Sequence, residues 1–536
     1  MTRADGIEAQ AEAWLADDPD PRTREDLEAL LAAVRNGDEA ATEELTDSFA
    51  GTLEFGTAGL RGKLGPGPNR MNRVVVIRAA AGLAAHLHEI GASGSVVIGY
   101  DARTNSDVFA RDTAEILTGA GFSVLLFDRP LPTPLVPYVI TTHGCVAGVV
   151  VTASHNPPQD NGYKVYLGDG SQIVPPSDIG IAAQIARVSQ RPLAELPRGT
   201  GWAMLGDEVI EAYVARAAEQ IPAGPRGLRW VHTALHGVGS PVMLAAARAA
   251  GFDAPYAVAE QADPDPRFPT VAFPNPEEPG AIDLALAAAA MADADIVIAN
   301  DPDADRCAVA IQRNGTWQML RGDEVGALLG QRFLSCGRQG TYAASVVSAT
   351  RLRTLAEAHQ QPYATTLTGF KWIGRVPGLA FGYEEALGYC CDPAMVKDKD
   401  GITAALHVLA LAAQLKSEGR TVADALDDLD REYGVCVTDQ LSVRVDDLSV
   451  ITAAMDRLRR NPPATLLGEK VAVVDLAEGS AELPPTDGIL LTGENVRVVV
   501  RPSGTEPKLK CYLEVRGTAA DEMHRLRHAM AQALGL

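Results

Sequence analysis

The stretch SVVIGYDARTNSDVFARDTAEILTGAGFSVLLF, residues 95–127, decides the fold class. Its ends, SVVIGY and SVLLF, are short, β-branched apolar runs, the pattern of buried strands. Between them, residues 105–120 read as a helix that stops before Gly121. Strand, helix and strand in this order form a βαβ unit, which joins parallel strands.

The same alternation extends outward from this stretch. A helix is expected over 73–90 and a third buried strand over 147–151. The pattern restarts at a strand over 228–233, after a Pro- and Gly-rich passage near 192–206. It continues through an Ala-rich helix over 281–292 to a strand over 295–299. A third unit begins near Arg321, with strands over 342–347 and 379–383. The last hundred or so residues differ, with strands over 435–445, 495–500 and 509–515 and a terminal helix. The first fifty or so are rich in Ala, Leu and Glu and read as helical. The expected fold is α/β: three mixed α/β domains plus a C-terminal α+β domain, spanning 1–205, 206–315, 316–434 and 435–536.

Apolar residues make up 46% of the 536, enough for several cores, and the formal net charge is −22. So acidic a surface repels nucleic acid and anionic membranes, and neither is expected as a partner. Any site for a phosphate must then be a local positive pocket. The seven cysteines are scattered, with no disulfide or zinc spacing, which suits a reduced cytoplasmic compartment. The N-terminus lacks a basic n-region and an apolar core, so no signal peptide is expected. No apolar run reaches the roughly 18 residues of a membrane span.

Four loops carry candidate chemistry, each directly after an expected strand, where open α/β sheets place ligands. In T-A-S-H-N-P, residues 152–157, the Ser154 hydroxyl beside His155 is a candidate phosphoryl acceptor, although an ordinary turn reads the same way. In N-D-P-D-A-D-R, residues 300–306, Asp301, Asp303 and Asp305 alternate, so their oxygens can converge on one hard cation. Arg306 and Gln312 stand where a calcium loop needs Gly and Glu, so Mg²⁺ fits better, with Arg306 beside the metal as a candidate to bind the same phosphate. In G-Y-E-E-A-L-G-Y, residues 382–389, Glu384 and Glu385 suit acceptance of hydrogen bonds from sugar hydroxyls, and a plain helix start is the alternative. Downstream, K-D-K-D-G at 397–401 reads as a solvated charge run. In R-P-S-G-T-E-P-K-L-K, residues 501–510, Arg501, Ser503, Gly504, Thr505 and Lys510 read as a dianion clamp. No G-x-x-x-x-G-K-[ST] occurs, so the P-loop route to a nucleotide triphosphate is missing.

Together and in this order, the four loops resemble the α-D-phosphohexomutases, a family of phosphoglucomutases and phosphomannomutases with a phosphopentomutase subgroup. The likeness runs over roughly residues 50–536. F-G-T-A-G-L-R-G at 55–62 resembles the loop whose arginine, here Arg61, supports the active-site phosphate. N-G-Y-K at 161–164 resembles the segment whose lysine, Lys164, reaches the reacting centre. T-G-F-K at 368–371, with Gly369 and Lys371, resembles the loop that discriminates the two substrate orientations. Two departures stand out: Pro302 replaces the common Gly of the metal loop, and Ala386 replaces a common Ser of the sugar loop, with Tyr389 after Gly388.

The resemblance implies four domains around a central cleft and a phosphoserine enzyme interconverting sugar 1- and 6-phosphates of glucose or mannose. One Mg²⁺ per chain would rest on Ser154, Asp301, Asp303 and Asp305, with a sugar bisphosphate as intermediate and activator. Lys164, His155 and Lys399, in that order, are the candidates for proton transfer. Alternatives are a phosphopentomutase, a sugar-bisphosphate synthase, a metal-dependent phosphatase and an inactive sugar-phosphate sensor. The expected partner is a small sugar phosphate, and the chain is expected as a monomer or a dimer.

Overall fold

The computed structural model describes residues 3–445, 447–480, 483–504, 508–517 and 520–535. The chain divides into two compact units, residues 1–310 with 392–410, and residues 311–391 with 411–536.

In the first unit the leading sheet contains β1 (Leu60–Lys63), β2 (Ser95–Tyr100), β3 (Ser123–Phe127), β4 (Ala147–Val151), β5 (Asp160–Leu167) and β6 (Ala203–Leu205), in the order β1-β5-β4-β2-β3-β6. β2, β3, β4 and β6 run parallel, β5 is antiparallel to β4, and β1 is antiparallel to β5. All five residues of β4 are buried, as its apolar run requires. Helices Arg73–Glu89 and Ser106–Gly119 fall where the periodicity puts them.

The first fifty residues form three helices, Arg3–Asp17, Pro21–Arg35 and Glu39–Ser48. Asp20 caps the second, with Pro21 at its first position, where the missing N–H costs nothing. Trp14, Leu27, Leu31, Leu45 and Phe49 share a core with Val74, Ile77 and Ala80 of helix Arg73–Glu89.

The next sheet has β7 (Trp230–Thr233), β8 (Tyr256–Ala257), β9 (Ile296–Ala299) and β10 (Ala308–Arg313), in the order β10-β9-β7-β8. β7, β8 and β9 are parallel, and β10 returns antiparallel to β9 before continuing into β11 (Thr316–Met319).

The second unit holds the other two large sheets. β12 (Thr341–Ser345), β13 (Tyr363–Thr366) and β14 (Leu379–Glu384) are parallel, and β15 (Gly388–Cys390) folds back antiparallel on β14. Residues 382–389 are therefore a hairpin, not a helix start. Tyr389, fully buried, stacks with Tyr383 at 6.4 Å between ring centroids, so it is a core residue.

The last domain is antiparallel. β16 (Cys436–Arg444) precedes a small hairpin of β17 (Thr465–Leu466) and β18 (Glu469–Lys470), then β19 (Ala472–Asp475), β20 (Ile489–Thr492), β21 (Val496–Pro502) and β22 (Lys508–Arg516). The sheet order is β16-β22-β21-β20-β19. Helices Leu448–Arg460 and Ala520–Leu534 cover it, with Ile451, Leu458, Val498, Leu513 and Leu526 in one core. The molecule thus has three mixed α/β domains and a C-terminal α+β domain. Among the described residues, no helix is long and apolar enough to cross a membrane.

Candidate active site

The T-A-S-H-N-P loop follows β4, and Ser154 sits at its tip with φ +53°, in the left-handed region that a non-glycine residue enters at a cost. Local bonds hold it there. The Ser154 amide donates to Thr152 Oγ1 at 2.8 Å. The carbonyls of Ser154 and Asn156 accept from Arg103 Nη2 at 2.6 and 2.5 Å, and those of Pro157 and Asp160 from Nη1 at 2.8 and 3.2 Å. One buried guanidinium therefore binds four main-chain oxygens of the loop. Its Nε pairs with Asp101 at 3.3 Å, and its face lies over the Phe268 ring at 4.9 Å.

Arg103 is absent from the sequence-level candidates. Its signal was the D-A-R that follows the buried run SVVIGY, charge at the C-terminal end of a parallel strand. Arg61, on β1, donates from Nη1 to Asn156 Oδ1 at 3.1 Å and so reaches the same loop, and its buried Nε has no hydrogen-bond partner among the described residues.

The Ser154 hydroxyl has two partners: His155 Nδ1 at 3.1 Å and Asp301 Oδ2 at 3.1 Å. Desolvation, reinforced by Arg306, Arg61, Lys164 and Arg103, pushes the His155 imidazole well below its ordinary range.

Asp301, Asp303 and Asp305 follow β9 and are fully buried, with oxygens all within 4.8 Å of one another. Thr133 fixes this loop, donating its amide to Asp303 O at 2.9 Å and its hydroxyl to Asp303 Oδ2 at 2.7 Å. His232 contacts Asn300 Oδ1 at 3.0 Å, and Asn300 Nδ2 donates to Arg306 O at 2.7 Å. A Cβ on Gly401 would lie 2.2 Å from the Arg306 carbonyl, so the chain passes against the loop only because that residue is glycine.

Cations balance the triad. Lys164 Nζ lies 2.7 Å from Asp303 Oδ2 and 2.9 Å from Asp305 Oδ2. Lys399 Nζ lies 3.2 Å from Asp305 Oδ2, and Arg306 donates its amide to Asp301 Oδ1 at 3.0 Å. Burial raises Asp301, and the neighbouring Asp303 and Asp305 add to it. Burial acts the same way on Asp303, but Lys164 overrides it and holds that carboxyl below its usual range. Asp303 Oδ1 and Asp305 Oδ1 carry no hydrogen bond among the described residues. Buried carboxylate oxygens without donors, converging with a third acid, fit a hard divalent cation.

The charge run 397–401 is not solvated. Asp398 and Asp400 are each 1% exposed. Asp398 accepts from Tyr166 OH and Gln172 Nε2, both at 2.7 Å, and Asp400 from Tyr213 OH at 2.8 Å. These hydroxyl and amide donors lie more than 180 residues away in sequence, which is why the run reads as surface. They anchor the segment that delivers Lys399.

In the second unit, Glu384 ends β14 and accepts the Gly369 amide at 2.6 Å, which ties the 368–371 loop to the 382–389 hairpin. Gly369 has φ +108°, and Lys371 lies in the short helix Phe370–Ile373 that follows. Glu385 Oε2 faces the hydroxyls of Ser345 and Ser348 at 3.3 and 3.4 Å. In the C-terminal domain, Arg501 on β21 stands directly opposite Lys510 on β22. Two like charges in facing positions repel unless an anion lies between them. Ser503 donates its amide to Lys508 O at 2.8 Å, and Gly504 is exposed, with open space among the described residues where a Cβ would stand. Thr505 lies outside the described residues.

Family models described as phosphoglucomutase/phosphomannomutase match the chain in four consecutive segments: alpha/beta/alpha domains I at 52–192, II at 211–315 and III at 321–433, and the C-terminal domain at 442–533. A Haemophilus influenzae protein named "Probable phosphomannomutase" is 48% identical over 464 residues, covering 85% of this chain and 95% of its own length. A Mus musculus phosphopentomutase is 35% identical over 569 residues, covering 95% and 91%. A solved Burkholderia thailandensis phosphoglucomutase/phosphomannomutase family protein shares the fold, with a TM-score of 0.69 at 22% identity over 89% of this chain and 97% of its own.

Proposed function

Since the chain belongs to the phosphoglucomutase/phosphomannomutase family and is a phosphosugar mutase, we propose that it interconverts the 1- and 6-phosphates of glucose, mannose or both through a phosphoryl group carried on Ser154. The observation that supports this most is Ser154, a residue 3% exposed whose hydroxyl lies between His155 Nδ1 and Asp301 Oδ2 at 3.1 Å each. A serine oxygen aimed at a buried triad of carboxylates is poised to hold a phosphate beside a divalent ion.

Asp301, Asp303 and Asp305, with an oxygen on Ser154, would hold one Mg²⁺. When bound there, the ion would supply neutralisation of charge on the transferring phosphoryl group. The protein does the rest. Arg103 and Arg61 fix the loop on which the phosphate rides. Transfer breaks the phosphorus–oxygen bond to Ser154 and forms one to a sugar hydroxyl, whose proton passes to a base. The product is a sugar bisphosphate, and its other phosphate returns to Ser154. Lys164, His155 and Lys399 are the candidates for proton transfer; the 3.1 Å contact with the serine oxygen supports His155 there, while Lys164 and Lys399 pair with the carboxylates. Arg501, Ser503, Gly504, Thr505 and Lys510 would hold the non-reacting phosphate, with Arg306, Gly369, Lys371, Glu384 and Glu385 around the sugar.

We assign one loop to each of four domains, 1–205, 206–315, 316–434 and 435–536. A pentose substrate is the second reading, supported by the phosphopentomutase likeness over 95% of the chain. A coupled assay with glucose, mannose, ribose and deoxyribose 1-phosphates, primed with a trace of sugar bisphosphate, separates the two. Intact-mass analysis of turning-over enzyme should show an adduct of about 80 Da, the mass of one phosphoryl group exchanged for a proton. Its absence from active protein, or full turnover by Ser154→Ala, would refute the carrier role.

A further inference from the structure

Residues 345–350, sequence SVVSAT, lead from β12 into helix Arg351–Ala358. Four side chains contact this segment, from a helix, two strands and the turn of the 382–389 hairpin. Asp323, in the first turn of helix Gly322–Ser335, accepts the Ala349 amide at 2.7 Å, and the same oxygen takes the Tyr383 hydroxyl at 2.8 Å. Glu514 on β22, 2% exposed, accepts the Thr350 amide at 2.8 Å and the Thr350 hydroxyl. Arg497 on β21 donates to Ser348 O at 3.2 Å and to Val346 O. Ser345 and Ser348, their hydroxyls 2.9 Å apart, face Glu385 Oε2 at 3.3 and 3.4 Å. Val346 and Val347 pack in one cluster with Leu476, Val499 and Tyr512 of the C-terminal domain.

The segment therefore touches the sugar loop on one side. On the other it is clamped by β21 and β22, the two strands that flank the 501–510 loop. The clamped side is stiff, because a buried carboxylate such as Glu514 loses heavily if its donors leave. The serine side is soft, because 3.3–3.4 Å is well beyond the ~2.7–2.8 Å at which O–H···O bonds are strongest. A displacement of β21 and β22 by a few tenths of an ångström would move the segment as a body, and Ser345 and Ser348 would close on Glu385 or release it.

We propose that Ser345 and Ser348 are positioning residues through which the anion-binding strands β21 and β22 set the orientation of the Glu385 carboxylate. This rests on the reading of Glu385 as a sugar-hydroxyl acceptor and of Arg501 as a phosphate donor. Its consequence is that the two recognition events are energetically coupled. A phosphate seated between Arg501 and Lys510 sharpens the grip on the sugar ring.

The test is a double-mutant cycle on kcat/KM for sugar-phosphate turnover, pairing Glu385→Gln with Glu514→Gln. Arg497→Lys replaces Glu514→Gln if that variant does not fold. The combined loss should depart from the product of the single losses by on the order of fivefold, the size by which coupled residues interact. The departure should vanish when Ser345 and Ser348 are both alanine. Those serine variants should lower kcat/KM while leaving the inhibition constant of inorganic phosphate unchanged, and Ser348→Thr should restore part of the loss. A merely structural role predicts neither the vanishing nor the unchanged phosphate affinity. A product rule obeyed within about twofold, with both single losses intact, overturns the coupling alone. A Glu385→Gln enzyme with full kcat/KM overturns the sugar-loop reading and the coupling with it.

Discussion

The guanidinium of Arg103 donates to the main-chain carbonyl of Ser154 at 2.6 Å, so the residue that would carry phosphate is held by its backbone from beneath. The same group takes the carbonyls of Asn156, Pro157 and Asp160. Arg103→Lys cannot reproduce this fork, because an ammonium is a point donor. Turnover should fall by roughly a hundredfold, the penalty of a misplaced reacting group of about an ångström. Steady-state kcat checks this, and circular dichroism should remain native.

Gly401 gives a second, independent handle on the carboxylate loop. A methyl there would press on the Arg306 carbonyl from 2.2 Å and must displace it. Gly401→Ala should raise the Mg²⁺ concentration needed for half-maximal activity by about tenfold or more, comparable to losing an outer partner of a metal site. A magnesium titration of activity reads it directly, with unchanged dependence as the contrary result.

Asp323 sets a pH dependence of stability. Burial pushes its carboxyl up to about 7, with Glu385 and Glu514 adding to the shift and the Ala349 amide and Tyr383 hydroxyl opposing it. In the unfolded chain it titrates near ~3.9. The folded pKa is the higher one, so this group's contribution is complete below about pH 4 and is lost as pH rises through about 7. The slope is at most about 1.4 kcal/mol per pH unit. Urea unfolding at several pH values should show that decline in the second unit, and Asp323→Asn, which still accepts both bonds, should flatten it.

Arg501 and Lys510 face each other across β21 and β22. Removing one charge relieves repulsion in the free protein and weakens the grip on a dianion. Lys510→Gln should therefore raise KM several-fold while leaving kcat nearly unchanged and thermal stability equal or slightly higher. Initial rates and a melting curve, measured at low and high salt, test both halves of that expectation.

The sequence carried the parallel strands well. SVVIGY, SVLLF and AGVVV became β2, β3 and β4 at the expected residues, because fully buried strands leave unbroken apolar runs. The serine and the three aspartates were picked out for a similar reason, since ligand loops follow such strands, whereas Arg61 and Lys164 entered only through the family resemblance. Arg103 was not legible, since its four partners are carbonyl oxygens that any residue could supply. Asp398 and Asp400 were misread as solvated because the Tyr166, Gln172 and Tyr213 groups that satisfy them are remote in sequence. Tyr389 stood out in the sequence as part of a departure in the sugar loop, yet it is a buried residue of the hairpin, stacked with Tyr383.

At φ +53°, Ser154 occupies a backbone well in which alanine is as uncomfortable as serine and only glycine is at ease. The habitual alanine knockout would therefore remove the hydroxyl but keep the torsional penalty. A glycine there would erase the oxygen and relax the turn together, giving an inert decoy suited to trapping sugar phosphates for crystallography or calorimetry.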